Sequence, residues 1–281
     1  MPPYRVPYTF ALTCISRALE VRDLLFKPVP ARLRAPAPGV TVSRESFPSG
    51  KNLIDAAFVR QATTPPQAAI VLCHGIGETV DRWFPVQQLL ALNGVASLVF
   101  DYSGYGRSSG RVDWRQSEVD ANTPNEHMQR LIHPLPVSIL GFSLGSGIAA
   151  AVIDKVNAEH LILCAAFTSF HDGARAAGMP FFLFLLVPDI WRTLDSLPAC
   201  PVPVLVVHGE KDGLFPVKMA RDLAAACPGN ANLIVVPKVY HNQPFRHPDL
   251  AYWGHVISWV VPEVAAQAAS AAPQVPAIHL K

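Results

Sequence analysis

Six short apolar runs, none alternating with polar residues over its length, constrain this chain more than any other feature. They are Ala68–Cys73, Val95–Phe100, Val137–Leu140, Leu161–Ala165, Val202–Val207 and Asn232–Val236. A continuous apolar run bounded by turn residues fits a strand buried on both faces. Stretches with helical spacing lie between them. These are Arg82–Leu92, stopped by Asn93-Gly94; the polar 114–132, closed by Pro134 and Pro136; the small-residue Ser146–Val156; Pro216–Cys227; and Tyr252–Val261. Upstream, Val40-Thr-Val-Ser43 alternates, turns at Pro48-Ser-Gly50 and finds a hairpin partner in Leu53–Val59. Strands alternating with helices from about residue 40 to 262 require right-handed crossovers. They predict an α/β fold, a mostly parallel sheet with helices on both faces.

No internal repeat and no linker of distinct composition divides that region. One domain over 39–263 is expected. A Pro- and Arg-rich N-terminal extension (1–38) and an Ala- and Pro-rich C-terminal tail (264–281) flank it. Half of the 281 residues are hydrophobic and 16% charged, which excludes a disordered chain. A net charge of +2 calls for no nucleic acid partner. Five cysteines, odd in number and widely spaced with no CxxC pair, exclude a disulfide-stapled mini-protein, a zinc ribbon and a thioredoxin-type redox site. Tyr8–Ile15 is apolar but short, with a single upstream Arg and no small-x-small cleavage site, so it makes a poor signal peptide. The most apolar run, Met179–Pro188, falls well below the ~20 residues of a spanning helix. Cytoplasmic residence is the expectation, with peripheral lipid contact as the alternative.

Chemistry concentrates where these strands end. Gly141-Phe-Ser143-Leu-Gly145 joins a strand to a helix. A nucleophilic serine needs its Oγ lifted on a strained strand-to-helix turn, and the glycines let strand and helix approach without a Cβ. The helix that follows presents its N-terminus to developing negative charge. Serine also needs a base, itself oriented by an acid, in the chain order Ser, acid, His. The run Val202–Val207 leads into His208-Gly-Glu-Lys-Asp212-Gly-Leu-Phe-Pro216, which offers Glu210 and Asp212. Asp212 is favoured for its shorter side chain and its place in the turn beside Gly213. His241 follows the last strand and precedes the last helix, the slot a base must occupy. His208, His247 and His255 compete with it, but His208 shares a loop with the acid. For the oxyanion, one N–H is expected from Leu144, the residue after the nucleophile. The other is expected from His74-Gly75-Ile76-Gly77, with Ile76 first and Gly77 second. His74 reads as a structural residue bonding loop carbonyls.

Taken together, His74-Gly-Ile-Gly77, Asp101-Tyr-Ser-Gly-Tyr-Gly-Arg-Ser108, Gly141–Gly145, Gly209-Glu-Lys-Asp212 and His241-Asn242 resemble the α/β-hydrolase superfamily. Within it they are most similar to the cofactor-free serine hydrolases of the Bem46-like and serine-aminopeptidase-like branch, over roughly residues 40–262. The resemblance implies an eight-stranded sheet, a Ser143–Asp212–His241 triad, no metal or cofactor, and esterase, thioesterase, lipase or peptidase activity. One departure stands out. Lys238-Val-Tyr-His241 occupies a place where relatives often have a glycine-containing turn.

Between Ala165 and Pro203 there is room for a crossover helix and a small cap, about 166–200. Met179, Phe181, Phe182, Phe184, Leu185 and Trp191 could wall an acyl pocket there, or the run could be a helix packed on the sheet. The expected function is hydrolysis of a carboxylic ester or thioester, with a small ester or acyl compound as substrate. Two alternatives are an aminopeptidase, which would use acids such as Asp189 and Asp195 on a free amine, and a binding module with a silent triad. A dehalogenase would need a carboxylate where Ser143 stands.

Overall fold

The structure, a computed structural model, describes residues 35–179 and 187–261. Eight strands form one sheet: β1 (Val40–Ser49), β2 (Asn52–Gln61), β3 (Ala68–Cys73), β4 (Val95–Phe100), β5 (Val137–Phe142), β6 (Leu161–Cys164), β7 (Val204–Gly209) and β8 (Ala231–Val236). Their order is β1-β2-β4-β3-β5-β6-β7-β8. β1 and β2 form a hairpin, β2 is antiparallel to β4, and every other pairing is parallel. Helices α1 (Val80–Leu92), α2 (Trp114–Ile132), α3 (Leu144–Val152), α4 (Phe170–Ala176), α5 (Thr193–Ser196), α6 (Val217–Ala225), α7 (Gln243–Arg246) and α8 (Leu250–Val260) join the strands. This is the expected α/β-hydrolase architecture.

The absence of alternation in the strands is explained by two cores, one on each face. Within β3, Ala69, Val71 and Cys73 face one core together with Met128 of α2, Ile148 of α3 and Leu223 of α6. Ile70 and Leu72 face the other, with Trp83 and Leu90 of α1 and Trp253 and Val256 of α8. Fully burying one such side chain contributes about 1.5–3 kcal/mol. A register slip of one residue would therefore leave each core filled by the wrong set.

Most differences from the sequence reading lie at element ends. The first strand runs on to Ser49, because its pairing with β2 continues to Ser49↔Asn52. β7 starts two residues late and takes in His208 and Gly209, which pair with Val235 and Val236. α3 begins at Leu144 and stops at Val152, where a turn closed by Lys155 N–H on the Val152 carbonyl redirects the chain. α8 opens at Leu250 because Asp249 caps it, accepting from the Tyr252 N–H. β6 and β7 meet in register, Leu161↔Val204 through Cys164↔Val207, across the long connection 165–203.

Sheet order places the loops that matter. The chain moves from β3 to β4 on one side, then returns to β5 on the other, so the carboxyl ends of β3 and β5 are neighbours (Cys73↔Gly141). Open parallel sheets hold ligands at such a switch point.

Candidate active site

Ser143 sits on the turn between β5 and α3 with φ 52° and ψ −117°, a left-handed conformation that side chains rarely adopt. Three contacts hold it there. Its N–H donates to the Cys164 carbonyl on β6, and its own carbonyl accepts from both the N–H and the hydroxyl of Ser146. The flanking glycines have a steric reason. A Cβ on Gly141 would come within 2.3 Å of the Gly145 carbonyl oxygen, and one on Gly145 within 1.9 Å of the Cys73 carbonyl oxygen. Helix α3 therefore starts directly against the end of β3, and the serine hydroxyl is lifted into the switch-point crevice.

The other two side chains arrive from the loops after β7 and β8. His241 Nε2 lies 3.0 Å from Ser143 Oγ, and its Nδ1 lies 2.7 Å from Asp212 Oδ2. The other Asp212 oxygen, Oδ1, accepts from the Leu214 and Phe215 N–H groups, so the turn after β7 fixes the carboxylate plane. A carboxylate on Nδ1 keeps the proton there and leaves Nε2 free to accept from the serine. The rings of Phe215 and Phe142 flank the imidazole at 5.0 and 5.8 Å.

The competing candidates lie elsewhere. Glu210 is exposed and accepts from the Lys238 N–H at 3.0 Å. His247 and His255 are exposed. His208 is buried behind the acid, where its Nε2 donates to the Phe215 carbonyl at 2.9 Å and stands 3.5 Å from Asp212 Oδ2. Burial lowers its pKa, which keeps it neutral. The segment before His241 solves its missing glycine in a direct way: Lys238 itself takes the positive φ, 62°.

The loop after β3 is held from both sides. His74 Nδ1 lies 2.8 Å from the Gly75 carbonyl, and burial pushes this imidazole down to about 4. A neutral ring facing a carbonyl must carry its proton on Nδ1. The Tyr102 hydroxyl donates to the His74 carbonyl. Asp101 backs the loop, accepting from the Val80 N–H, and burial pushes its carboxyl up to about 7. Sequence reasoning missed Glu78, whose Oε2 accepts from the Gly75 N–H at 2.7 Å and the Trp83 indole at 2.8 Å. The available signal was an acid directly after the glycine loop and five residues before a tryptophan. No hydrogen bond in the loops and caps of the described residues uses the Ile76 or Leu144 N–H.

The residues expected to wall a pocket divide. Trp191 is buried, packs on Trp114 and Phe170, and donates its indole N–H to Glu118. Its Cβ and the Phe167 ring fill the space that a Cβ on Gly147 would take. Met179 is buried as well. Phe181, Phe182, Phe184 and Leu185 lie outside the described residues, as do most of 1–38 and the whole of 264–281. Asp189 and Asp195 both pair with Arg192, at 3.2 and 2.6 Å, on the exposed surface.

Comparison with known proteins agrees with this layout. The family model "Serine aminopeptidase, S33" matches residues 64–188, and "Serine hydrolase (FSH1)" matches 132–249. Together the two matches support an α/β-hydrolase of the serine-hydrolase type. This α/β-hydrolase is 30% identical over 181 residues to an uncharacterized protein of Mycobacterium tuberculosis, covering 63% of each chain. It thus spans less than two thirds of that relative's length. It is 29% identical over 255 residues to a monoacylglycerol lipase of Mycolicibacterium smegmatis, covering 70% of this hydrolase and 89% of the relative. Among solved structures it is similar to an esterase of Pyrococcus furiosus. The TM-score is 0.64 at 15% identity, over 86% of this chain and 98% of that one.

Proposed function

We propose that this α/β-hydrolase cleaves a carboxylic ester or thioester through an acyl-enzyme on Ser143. One observation carries the reading. A single imidazole, that of His241, spans the Ser143 hydroxyl and the Asp212 carboxylate at hydrogen-bond distance on both sides. His241 takes the serine proton as Oγ attacks the carbonyl carbon. Asp212 holds the imidazole tautomer and stabilises the imidazolium, and the proton passes to the leaving alcohol or thiol. Ile76 and Leu144 N–H groups receive the oxyanion. His241 then removes a proton from water, which attacks the acyl-enzyme and restores the hydroxyl. The reading takes the hydrolase domain as 39–263, with 166–200 as the cap.

A monoacylglycerol lipase among the relatives supports an ester over an amide. Asp189 and Asp195 are both engaged by Arg192, which a substrate amine would have to displace. Free thiols at Cys73, Cys164, Cys200 and Cys227 fit the reducing cytoplasm. The purified protein is expected to label with a fluorophosphonate and to hydrolyse p-nitrophenyl esters faster than aminoacyl amides. Ser143→Ala is expected to abolish labelling and to lower turnover by about 10⁴- to 10⁶-fold. Labelling or turnover that survives in Ser143→Ala removes the mechanism, and preference for the amides replaces the substrate class.

A further inference from the structure

Glu78 is a buried acid to which the chemistry above gives no task. Its carboxylate holds two N–H groups of different kinds, the backbone N–H of Gly75 and the indole N–H of Trp83. The Trp83 anchor is rigid. Its ring has no exposed surface and packs against Phe142, Phe245 and Trp253 at 5.3, 5.1 and 6.0 Å. Gly75 is fastened at its other end too, because its carbonyl receives His74 Nδ1. A trans peptide points its C=O and N–H in opposite directions. Fixing the Gly75 carbonyl toward His74 therefore turns the Ile76 N–H, which belongs to the same peptide, away from that ring. The acid lies close against Gly75: a Cβ there would come within 2.9 Å of the Glu78 carboxylate.

We propose that Glu78 is a positioning residue for the oxyanion loop: its ionised carboxylate fixes Gly75 and so presets the Ile76 N–H, and protonation releases the loop. This rests on the reading of Ile76 as an oxyanion donor. Ionised, the carboxylate accepts both N–H groups; protonated, it carries an O–H that itself needs an acceptor. The charged and titratable groups that act on it are His241 and Arg82, which favour the ionised form, and Tyr102 and Tyr105, which feel its charge. Burial outweighs these and both hydrogen bonds, pushing the carboxyl up to about 7. The loop therefore tightens as pH rises through neutrality and loosens below it.

The test uses the full chain and two readouts. The Trp83 indole N–H resonance, assigned by its loss in Trp83→Phe, is followed from pH 5 to 9, and kcat and KM for a p-nitrophenyl ester are measured over the same range. The resonance is expected to titrate near pH 7 in the wild type and to be flat in Glu78→Gln. In Glu78→Gln, kcat is expected to fall about 10- to 100-fold with KM within about twofold. Trp83→Phe removes one donor to the ionised form, so the acid limb of its activity profile is expected to move to higher pH. A flat wild-type resonance, a titration that persists in Glu78→Gln, or an unchanged kcat in that variant overturns the proposal. Should Glu78→Gln not fold, the wild-type titration and the direction of the Trp83→Phe shift decide. Should the wild type show no Ser143-dependent turnover, the serine-hydrolase reading fails by itself and the resonance still decides the role of Glu78.

Discussion

Asp212 works through constraint at every oxygen. Oδ1 is held by two backbone N–H groups and Oδ2 by the imidazole. Asp212→Asn keeps the size and loses the acceptor that selects the Nδ1–H tautomer. Its kcat is expected to fall about 10⁴-fold with the fold intact, measured on a p-nitrophenyl ester beside circular dichroism. Glu210→Gln, which keeps an acceptor for the Lys238 N–H, is expected to change kcat by less than about threefold; equal losses in the two would reverse the choice of acid. The placement of Ser143, Asp212 and His241 was legible because each follows a strand end in fixed chain order. Glu78 was not, since its contacts with Gly75 and Trp83, though only three and five residues away, depend on the conformation of the loop between them, which linear spacing does not encode. Lys238 was legible only as an anomaly. Its positive φ stands where a glycine would cost less strain.

Elements were easier to recognise than to delimit. Strand interiors announced themselves because both faces are covered, whereas ends depended on caps and ladders formed by distant residues. Asp249 opens α8 earlier than its apolar periodicity suggested, and pairing with β8 carries β7 past Val207. The junction of β5 and α3 is the tightest of these joints. Gly145→Ala sets a methyl group against the Cys73 backbone, which has no rotamer by which to yield. A loss on the order of 3 kcal/mol is expected in urea unfolding, accompanied by reduced fluorophosphonate labelling because the Ser143 turn must shift. Wild-type stability in Gly145→Ala would mean that strand and helix are farther apart than described.

Across the whole molecule, buried acids and buried imidazoles oppose one another. Burial raises Asp55, Glu78 and Asp101 and lowers His74, His160 and His208. Between about pH 5 and 6.5 folded Glu78 and Asp101, both pushed up to about 7, retain protons that the unfolded chain has released, so their contribution to stability declines as pH rises. The folded imidazoles lack protons that the unfolded chain binds, so theirs grows as pH rises. The wild-type Tm is expected to vary by less than about 3 °C over that window. Glu78→Gln leaves the imidazoles in excess, and its Tm is expected to drop on acidification by roughly 2–4 °C per pH unit. A steep wild-type curve, or a flat one in the variant, would contradict this balance.

The pairing of β6 with β7 has a consequence for how such a molecule diversifies. Their alignment is dictated by the sheet and not by the span 165–203 that links them, so that span is free to be rewritten. One obligation survives the rewriting: an aromatic plug, here the Phe167 ring beside the Trp191 Cβ, must fill the hollow above Gly147. Grafting a foreign span that keeps the plug would alter which molecules gain entry while the hydroxyl, imidazole and carboxylate stay in line, separating selectivity from reactivity within one chain.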